Sequence, residues 1–317
     1  MGAMTDASAP ATPKPTDTLV AAWTRTRDVL KAAGVASPAY DARQLVEAAV
    51  GVVRLDILTD PYRKVAPEAG ARLDALAARR AGREPLAYIL GHAAFWSLDF
   101  AVGPAVLTPR PDTETVVHAA LAALPEDASA RVLDLGTGSG ILLLSILHAR
   151  PLAEGVGIDA SPAALAVARA NAVALGLENR AGFAASDWGA GLAGPFDLVV
   201  SNPPYIATAE IDGLDPEVAV HEPRMALDGG DDGLDAYRRL MPDVFRLLTP
   251  GGRFALEIGQ GQGDAVIAIA RAAGLEPELV RPDLTGIGRV VVGARPLADT
   301  PEAVGREKEV GGLRPPR

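Results

Sequence analysis

The chain has 317 residues, 49% of them apolar, and its 40 acidic against 30 basic side chains leave a net charge of −10. It holds no cysteine and only 4 histidines, scattered along the sequence, which excludes disulfides and thiolate chemistry and argues against a zinc site. The acidic balance is a poor match to a phosphate backbone, and the longest apolar run, around Ile141–Leu144, is too short to span a bilayer.

Residues 1–16, rich in Ala, Pro and Thr, read as a disordered lead-in without signal-peptide features, so the cytoplasm is the expected location. A helical pattern runs from Leu19 to about Ala33 and stops at Gly34. Ser37-Pro38 then opens a second helix, with a polar cap and a proline in its first turn. A third apolar segment covers Leu55–Leu58, and a further helix from Pro67 to about Arg80 ends before Gly82. Together these predict a small helical domain over residues 17–91, and nothing in it looks catalytic. Alternation through Phe95–Val102 predicts a short β linker over residues 92–108, with a hairpin through Gly103-Pro104. The run Thr108-Pro109-Arg110-Pro111-Asp112-Thr113-Glu114 precedes an apolar helix, Val116–Leu124. It reads either as helix initiation or as a lid over a polar ligand.

From Ala130 onward strand and helix patterns alternate, which predicts a parallel sheet within a domain over residues 109–295. The strands are expected at Arg131–Leu135, Gly155–Ile158, Gly182–Ala185, Phe196–Ser201, Arg253–Ile258, Glu276–Val280 and Arg289–Val292. Helices are expected near Ser139–Ala149, Pro162–Leu175, Leu234–Leu247 and Asp264–Ala273. The acidic stretch Tyr205–Asp231 has little periodicity, and so long a loop in a compact domain is usually functional. Residues 296–317 read as a loose tail.

Val132-Leu133-Asp134-Leu135 leads into Gly136-Thr137-Gly138-Ser139-Gly140, a strand followed by a glycine turn into a helix. The nicotinamide fingerprint requires glycine at position 141, where this chain has Ile141. Asp134, just before the turn, is expected to face a cationic ligand group. Asp159 ends the next strand, the usual place for a carboxylate that holds ribose hydroxyls. Ser186-Asp187-Trp188 ends the third, where Asp187 can accept from an adenine amino group and Trp188 can stack. Any one of these could be a capping aspartate or a core tryptophan. Successive strand ends carrying them imply a ligand with a ribose, an adenine and a positive charge.

Phe196–Ser201 reads as a strand buried on both faces and ends abruptly in Asn202-Pro203-Pro204-Tyr205. Asn202 offers a carboxamide oxygen and Pro203 a backbone carbonyl, two acceptors that match the hydrogens of a planar NH2 group. Such a nitrogen is a poor nucleophile because its lone pair is delocalised. Two acceptors would favour positive charge developing on it and fix the direction of attack. Tyr205 could stack on the planar group or sit near a cationic methyl donor. Taken alone, the tetrapeptide reads equally well as a strand-ending turn.

Taken together, these segments resemble the release-factor glutamine methyltransferases, from about Leu19 to Arg295. The resemblance is carried by Glu84-Pro85-Leu86-Ala87-Tyr88-Ile89-Leu90-Gly91, Phe95-Trp96, Pro109-Arg110-Pro111-Asp112-Thr113-Glu114, Gly136–Gly140, Asp187-Trp188 and Asn202-Pro203-Pro204-Tyr205-Ile206. It implies an α/β, Rossmann-like, seven-stranded S-adenosylmethionine methyltransferase domain with its last strand antiparallel, preceded by a helical domain and a β-hairpin linker. It also implies that Gly136, Thr137, Gly138, Ser139, Gly140, Asp159, Asp187, Trp188 and Asn202 hold S-adenosyl-L-methionine. The substrate amide would lie on Asn202, Pro203, Pro204 and Tyr205, with Asn202, Pro203 and Tyr205 catalytic. The implied reaction is in-line methylation of the glutamine amide in the Gly-Gly-Gln motif of class I peptide chain release factors, with no metal, membrane or direct nucleic acid partner. Two rivals share parts of this pattern: an amino-methyltransferase acting on adenine or guanine in DNA or RNA, and a non-catalytic S-adenosylmethionine-binding module.

Overall fold

The computed structural model describes residues 17–297; the expected lead-in, and the tail from residue 298 on, lie outside the described residues. The chain opens with helices α1 (Leu19–Ala32), α2 (Pro38–Val50), α3 (Arg54–Thr59), α4 (Pro67–Ala81) and α5 (Leu86–Leu90). Thr18 caps α1 through its side chain, and Gly51 ends α2 in the left-handed conformation at φ 74°. The apolar stripes of α1, α2 and α4 meet in a separate core around Leu19, Leu30, Leu45, Val46 and Leu73.

A hairpin follows, β1 (His92–Phe95) and β2 (Leu98–Ala101), paired so that Phe95 faces Leu98. The turn is therefore Trp96-Ser97, at φ 52° and 60°, and not Gly103-Pro104 as the sequence pattern had it. A two-residue loop of the type I′ form has positive φ at both positions, which neither side chain advertises. Tertiary contacts hold it instead: the Trp96 N–H donates to Glu114 Oε1 at 3.1 Å, and its ring meets His118 edge-on. Asn171 clamps β2 from below, accepting from Ala101 N–H and donating to Ala101 O.

After α6 (Glu114–Ala123) the pattern becomes strand and helix in turn. The order is β3 (Arg131–Leu135), α7 (Ile141–Ala149), β4 (Glu154–Asp159), α8 (Pro162–Ala174), β5 (Ala181–Ala185) and β6 (Phe196–Ser201). Then come α9 (Pro216–Ala219), α10 (Asp235–Leu247), β7 (Leu248–Glu257), α11 (Gly263–Ala272), β8 (Glu276–Pro282) and β9 (Gly288–Ala294). The strands form one seven-stranded sheet in the order β5-β4-β3-β6-β7-β9-β8. Pairing is parallel from β5 through β7, and β9 runs antiparallel to both β7 and β8. This is a Rossmann-like α/β fold, and the strand order reverses between β3 and β6.

Strand β7 begins earlier than expected, because Thr249-Pro250-Gly251-Gly252 is absorbed within the strand as an irregularity between the Phe196–Leu248 and Leu198–Arg253 pairs. Both faces of the sheet are covered. Val132, Leu198 and Val200 pack with α6 and α7 on one side, and Leu133, Val199 and Leu256 with α10 and α11 on the other. Among the described residues no helix is long and apolar enough to cross a membrane.

Candidate active site

A cavity of about 850 Å³ opens at the carboxyl ends of β3, β4 and β6, the crevice where the strand order reverses and where α/β sheets bind ligands. Its floor is the glycine turn. Gly136, Gly138 and Gly140 all adopt positive φ, between 56° and 83°, so α7 starts only at Ile141 rather than at Ser139. A Cβ built on Gly138 would meet no atom within 4 Å, so here the bare backbone forms the wall and a ligand can come close. Asp159, at the end of β4, accepts from the Gly138 N–H at 2.9 Å and from the Ser161 N–H at 2.8 Å.

Gly136, Thr137, Gly138, Ser139 and Asp159 line this cavity, as do Asp187, Trp188, Asn202 and Pro204. Trp188 stands at φ 51° with its ring beside Gly136. Asp187 is engaged by Arg239, whose guanidinium donates to both carboxylate oxygens at 2.6 and 2.7 Å. Gly140, Pro203 and Tyr205 are not part of the cavity wall.

Asp134 departs from its expected role. It is fully buried, takes no part in the cavity wall, and accepts from Thr137 Oγ at 2.7 Å, bracing the turn from beneath. Burial pushes its carboxyl up to about 7 against the pull of Thr137, and Oδ1 has no partner. The reason is positional: β3 is central and covered on both faces, so a side chain one residue before its end has no route to solvent.

The Asn-Pro-Pro-Tyr segment leaves β6 beside the glycine turn. Ser201 Oγ donates to Leu135 O at 2.5 Å, locking the ends of β6 and β3 together. Asn202 Nδ2 donates to Thr113 Oγ at 3.2 Å, which leaves Oδ1 as the free acceptor of the carboxamide. Among the described residues no donor reaches the Pro203 carbonyl either. Two acceptors on adjacent residues thus stand without protein partners, and the first of them belongs to the cavity wall. The Tyr205 ring turns away, packs against the core and donates to Glu257 Oε1 at 3.4 Å. Burial and the Glu257 charge both raise its phenol well above the usual range.

The run ahead of α6 closes the cavity from above. Thr108, Pro109, Arg110 and Thr113 line it, and Arg110 donates to both oxygens of the buried Glu222 at 2.8 Å. The long acidic stretch is thereby tied down over the site. Its short helix α9 is also tied to the helical domain, since Glu217 accepts from Arg80 at 2.9 Å and from Arg83 at 2.7 and 2.5 Å. Arg80 in turn holds the buried Asp41 of α2 at 2.7 Å. Sequence reasoning did not single out Glu257 or Glu222, and read Thr113 only as part of the Thr108–Glu114 run. Only Glu257 carries a local signal, as a lone charge inside the apolar run Phe254-Ala255-Leu256-Glu257-Ile258.

Comparison with known proteins identifies the family. A family model described as the PrmC N-terminal domain matches residues 21–91, and one described as a methyltransferase small domain matches residues 113–230. A release factor glutamine methyltransferase of Caulobacter vibrioides is 52% identical over 285 residues, covering 90% of this chain and 99% of that protein. One of Rhodospirillum rubrum is 51% identical over 269 residues, covering 85% of this chain and 82% of that protein. Among solved structures, a release factor-specific protein-(glutamine-N5) methyltransferase from Alicyclobacillus acidocaldarius is 31% identical, with a TM-score of 0.36, covering 62% of this chain and 99% of that one. Identity of this order along nearly the whole length of a relative leaves no ambiguity of kinship: the chain belongs to the release factor glutamine methyltransferase family.

Proposed function

We propose that this methyltransferase transfers a methyl group from S-adenosyl-L-methionine to the side-chain amide nitrogen of the glutamine in the Gly-Gly-Gln motif of class I release factors. The observation that carries the proposal is the pair of unpartnered acceptors on adjacent residues, Asn202 Oδ1 and Pro203 O, of which Asn202 lines a cavity floored by a glycine turn. An amide NH2 presents two coplanar donors and fits that pair; a hydroxyl or a thiol would leave one acceptor unsatisfied. The relatives named above, at 51–52% identity, are release factor glutamine methyltransferases, which favours a protein amide over a nucleobase.

The cavity suits the cofactor. The bare backbone at Gly138 admits close approach, Asp159 supplies a carboxylate where ribose hydroxyls are held, and Trp188 offers an aromatic face. When bound, S-adenosylmethionine supplies an electrophilic methyl on a sulfonium; the new C–N bond forms as the C–S bond breaks. The chain's own part is to orient and to polarise. Asn202 and Pro203 accept from the amide N–H groups, hold its plane and favour positive charge on nitrogen as the bond forms. The methylated nitrogen is then strongly acidic and gives up its proton to solvent after transfer.

Mass spectrometry of a class I release factor incubated with the protein and S-adenosylmethionine tests the reading. One methyl group on the Gly-Gly-Gln glutamine is the expected product. Labelled DNA or RNA with an unmodified release factor would replace it with the nucleobase alternative.

A further inference from the structure

We infer that Asp243 of α10, together with Arg246, is a positioning residue that fixes the Trp188 ring as a wall of the cofactor cavity. The inference deepens, and rests on, the reading of Trp188 as the aromatic face for the adenine.

Trp188 occupies the first central position of a turn closed by a bond from the Ala190 N–H to the Asp187 carbonyl at 3.1 Å. Its φ of 51° lies in a region that bulky side chains avoid and that such a turn normally assigns to glycine. The glycine of this turn stands one residue later, at Gly189, and has no positive φ. Space, not conformation, requires it there: a Cβ on Gly189 would lie 2.7 Å from the Asp243 side chain and 2.8 Å from Leu247. The turn therefore puts its strain on the tryptophan and gives its glycine to the close approach of α10. A strained backbone of this kind persists only where the surroundings hold it.

The bonds that hold it come from one face of α10, where Arg239, Asp243 and Arg246 fall at i, i+4 and i+7. Asp243 Oδ2 accepts from the Gly189 N–H at 3.0 Å. Arg246 donates to the Gly189 carbonyl at 2.7 Å and to the Leu192 carbonyl at 2.8 Å, and bridges to Asp243 Oδ1 at 2.7 Å. Both backbone polar groups of the residue after Trp188 are thus engaged by α10. Arg239 reaches the residue before it, Asp187, but those side chains are 57% and 65% exposed, and an ion pair so open to water holds little. The Asp243 side chain is only 22% exposed. The neighbouring face of α10 is sunk in the core through Tyr237, Leu240, Met241 and Val244, so the helix is a rigid support. The Trp188 ring comes to rest beside the glycine turn, with Cζ3 3.6 Å from where a Cβ on Gly136 would stand.

Two readouts test the inference. The 3 tryptophans of the chain each give one fluorine NMR resonance in protein labelled with fluorotryptophan, and that of Trp188 is identified by its loss in Trp188→Phe. In the cofactor-free protein Asp243→Ala should move the Trp188 resonance and leave those of Trp23 and Trp96 in place. Binding of S-adenosylhomocysteine, measured by calorimetry, should weaken about 10-fold, the scale of one aromatic contact. Asp243→Asn keeps an acceptor for the Gly189 N–H and should restore most of both. In a Trp188→Ala background, Asp243→Ala should cost no further affinity, because no ring is left to aim. A Trp188 resonance unmoved in Asp243→Ala, an Asp243→Asn protein no better than Asp243→Ala, or a loss of affinity that is the same with and without the indole would each overturn the inference. A moved resonance with unchanged affinity would support the hold of α10 on Trp188 and take the adenine away from that ring, so the two readings fail separately.

Discussion

Asp159 Oδ2 accepts from the Gly138 N–H at 2.9 Å, so the end of β4 and the tip of the glycine turn are fastened to each other before any ligand arrives. With Oδ1 on Ser161 N–H, the carboxylate still has lone pairs free toward the cavity. Asp159→Ala should weaken cofactor binding by about 1–3 kcal/mol, from lost ligand contact together with a loosened turn. Asp159→Asn retains one acceptor oxygen and should fall between the parent and Asp159→Ala. Calorimetric affinity unchanged in a folded Asp159→Ala protein removes Asp159 from the site.

Trp188 gives the site an optical probe. The chain has 3 tryptophans. Trp23 donates to Ala39 O in the helical domain, Trp96 lies on His118, and Trp188 alone among them lines the cavity. Titration with S-adenosylhomocysteine should quench the intrinsic fluorescence of the parent and leave that of Trp188→Phe largely unchanged. Loss of the indole face should cost about 1 kcal/mol of affinity, the scale of an aromatic stacking contact. Undiminished quenching in Trp188→Phe would place the adenine elsewhere.

Local chemistry made the floor of this site readable from sequence, and distance hid its walls. The glycine turn could be placed because glycine adopts positive φ without help from distant partners, as Gly136, Gly138 and Gly140 do. The strand ending at Asn202 was readable for the same reason, since two prolines cannot continue a ladder. Asp134 was misjudged because a strand pattern does not say how deep the last side chain lies. Tyr205 stands beside Asn202 in sequence, yet its hydroxyl finds Glu257, 52 residues onward, and its ring leaves the cavity wall. The pairs that close the site are longer still, with 112 residues between Arg110 and Glu222 and 134 between Arg83 and Glu217. Neither partner of such a pair differs in sequence from an ordinary surface charge.

That last pair makes a prediction about acid stability. Burial opposes ionisation of Glu217, but the guanidinium groups of Arg83 and Arg80 outweigh it and bring its carboxyl down to about 2 from an ordinary 4.5. A depressed carboxyl stabilises the fold above its unfolded value and loses that contribution as pH falls through the folded one. Glu217→Gln should therefore be less stable than the parent at neutral pH, and the gap should close between pH 4.5 and about 2. Its size should be on the order of 1–2 kcal/mol, discounted from a fully buried pair because the Glu217 side chain is 18% exposed. Thermal unfolding of both proteins across that range reads the difference. A gap that does not change with pH would mean that the three charges contribute through packing alone.

Asn202 bears the sharpest prediction, because the proposed acceptor for the substrate is also the donor to Thr113. Asn202→Ala removes the acceptor and should leave much of the release factor affinity intact, since a protein interface is far larger than one side chain. Transfer should fall by about 10² to 10³, by analogy with removal of one preorganised oxyanion-hole donor. Asn202→Asp separates charge from geometry. It keeps the size and the acceptor oxygen, so S-adenosylmethionine, being cationic at sulfur, should bind as well or better. It has no N–H for Thr113, however, and the Thr113 hydroxyl should donate to the new carboxylate instead. Transfer should then remain well below the parent despite intact cofactor binding. Single-turnover rates at saturating cofactor and release factor distinguish these effects from affinity. If Asn202→Ala transfers methyl at close to the parent rate, Asn202 only ends a strand, and the amide must be oriented by other groups.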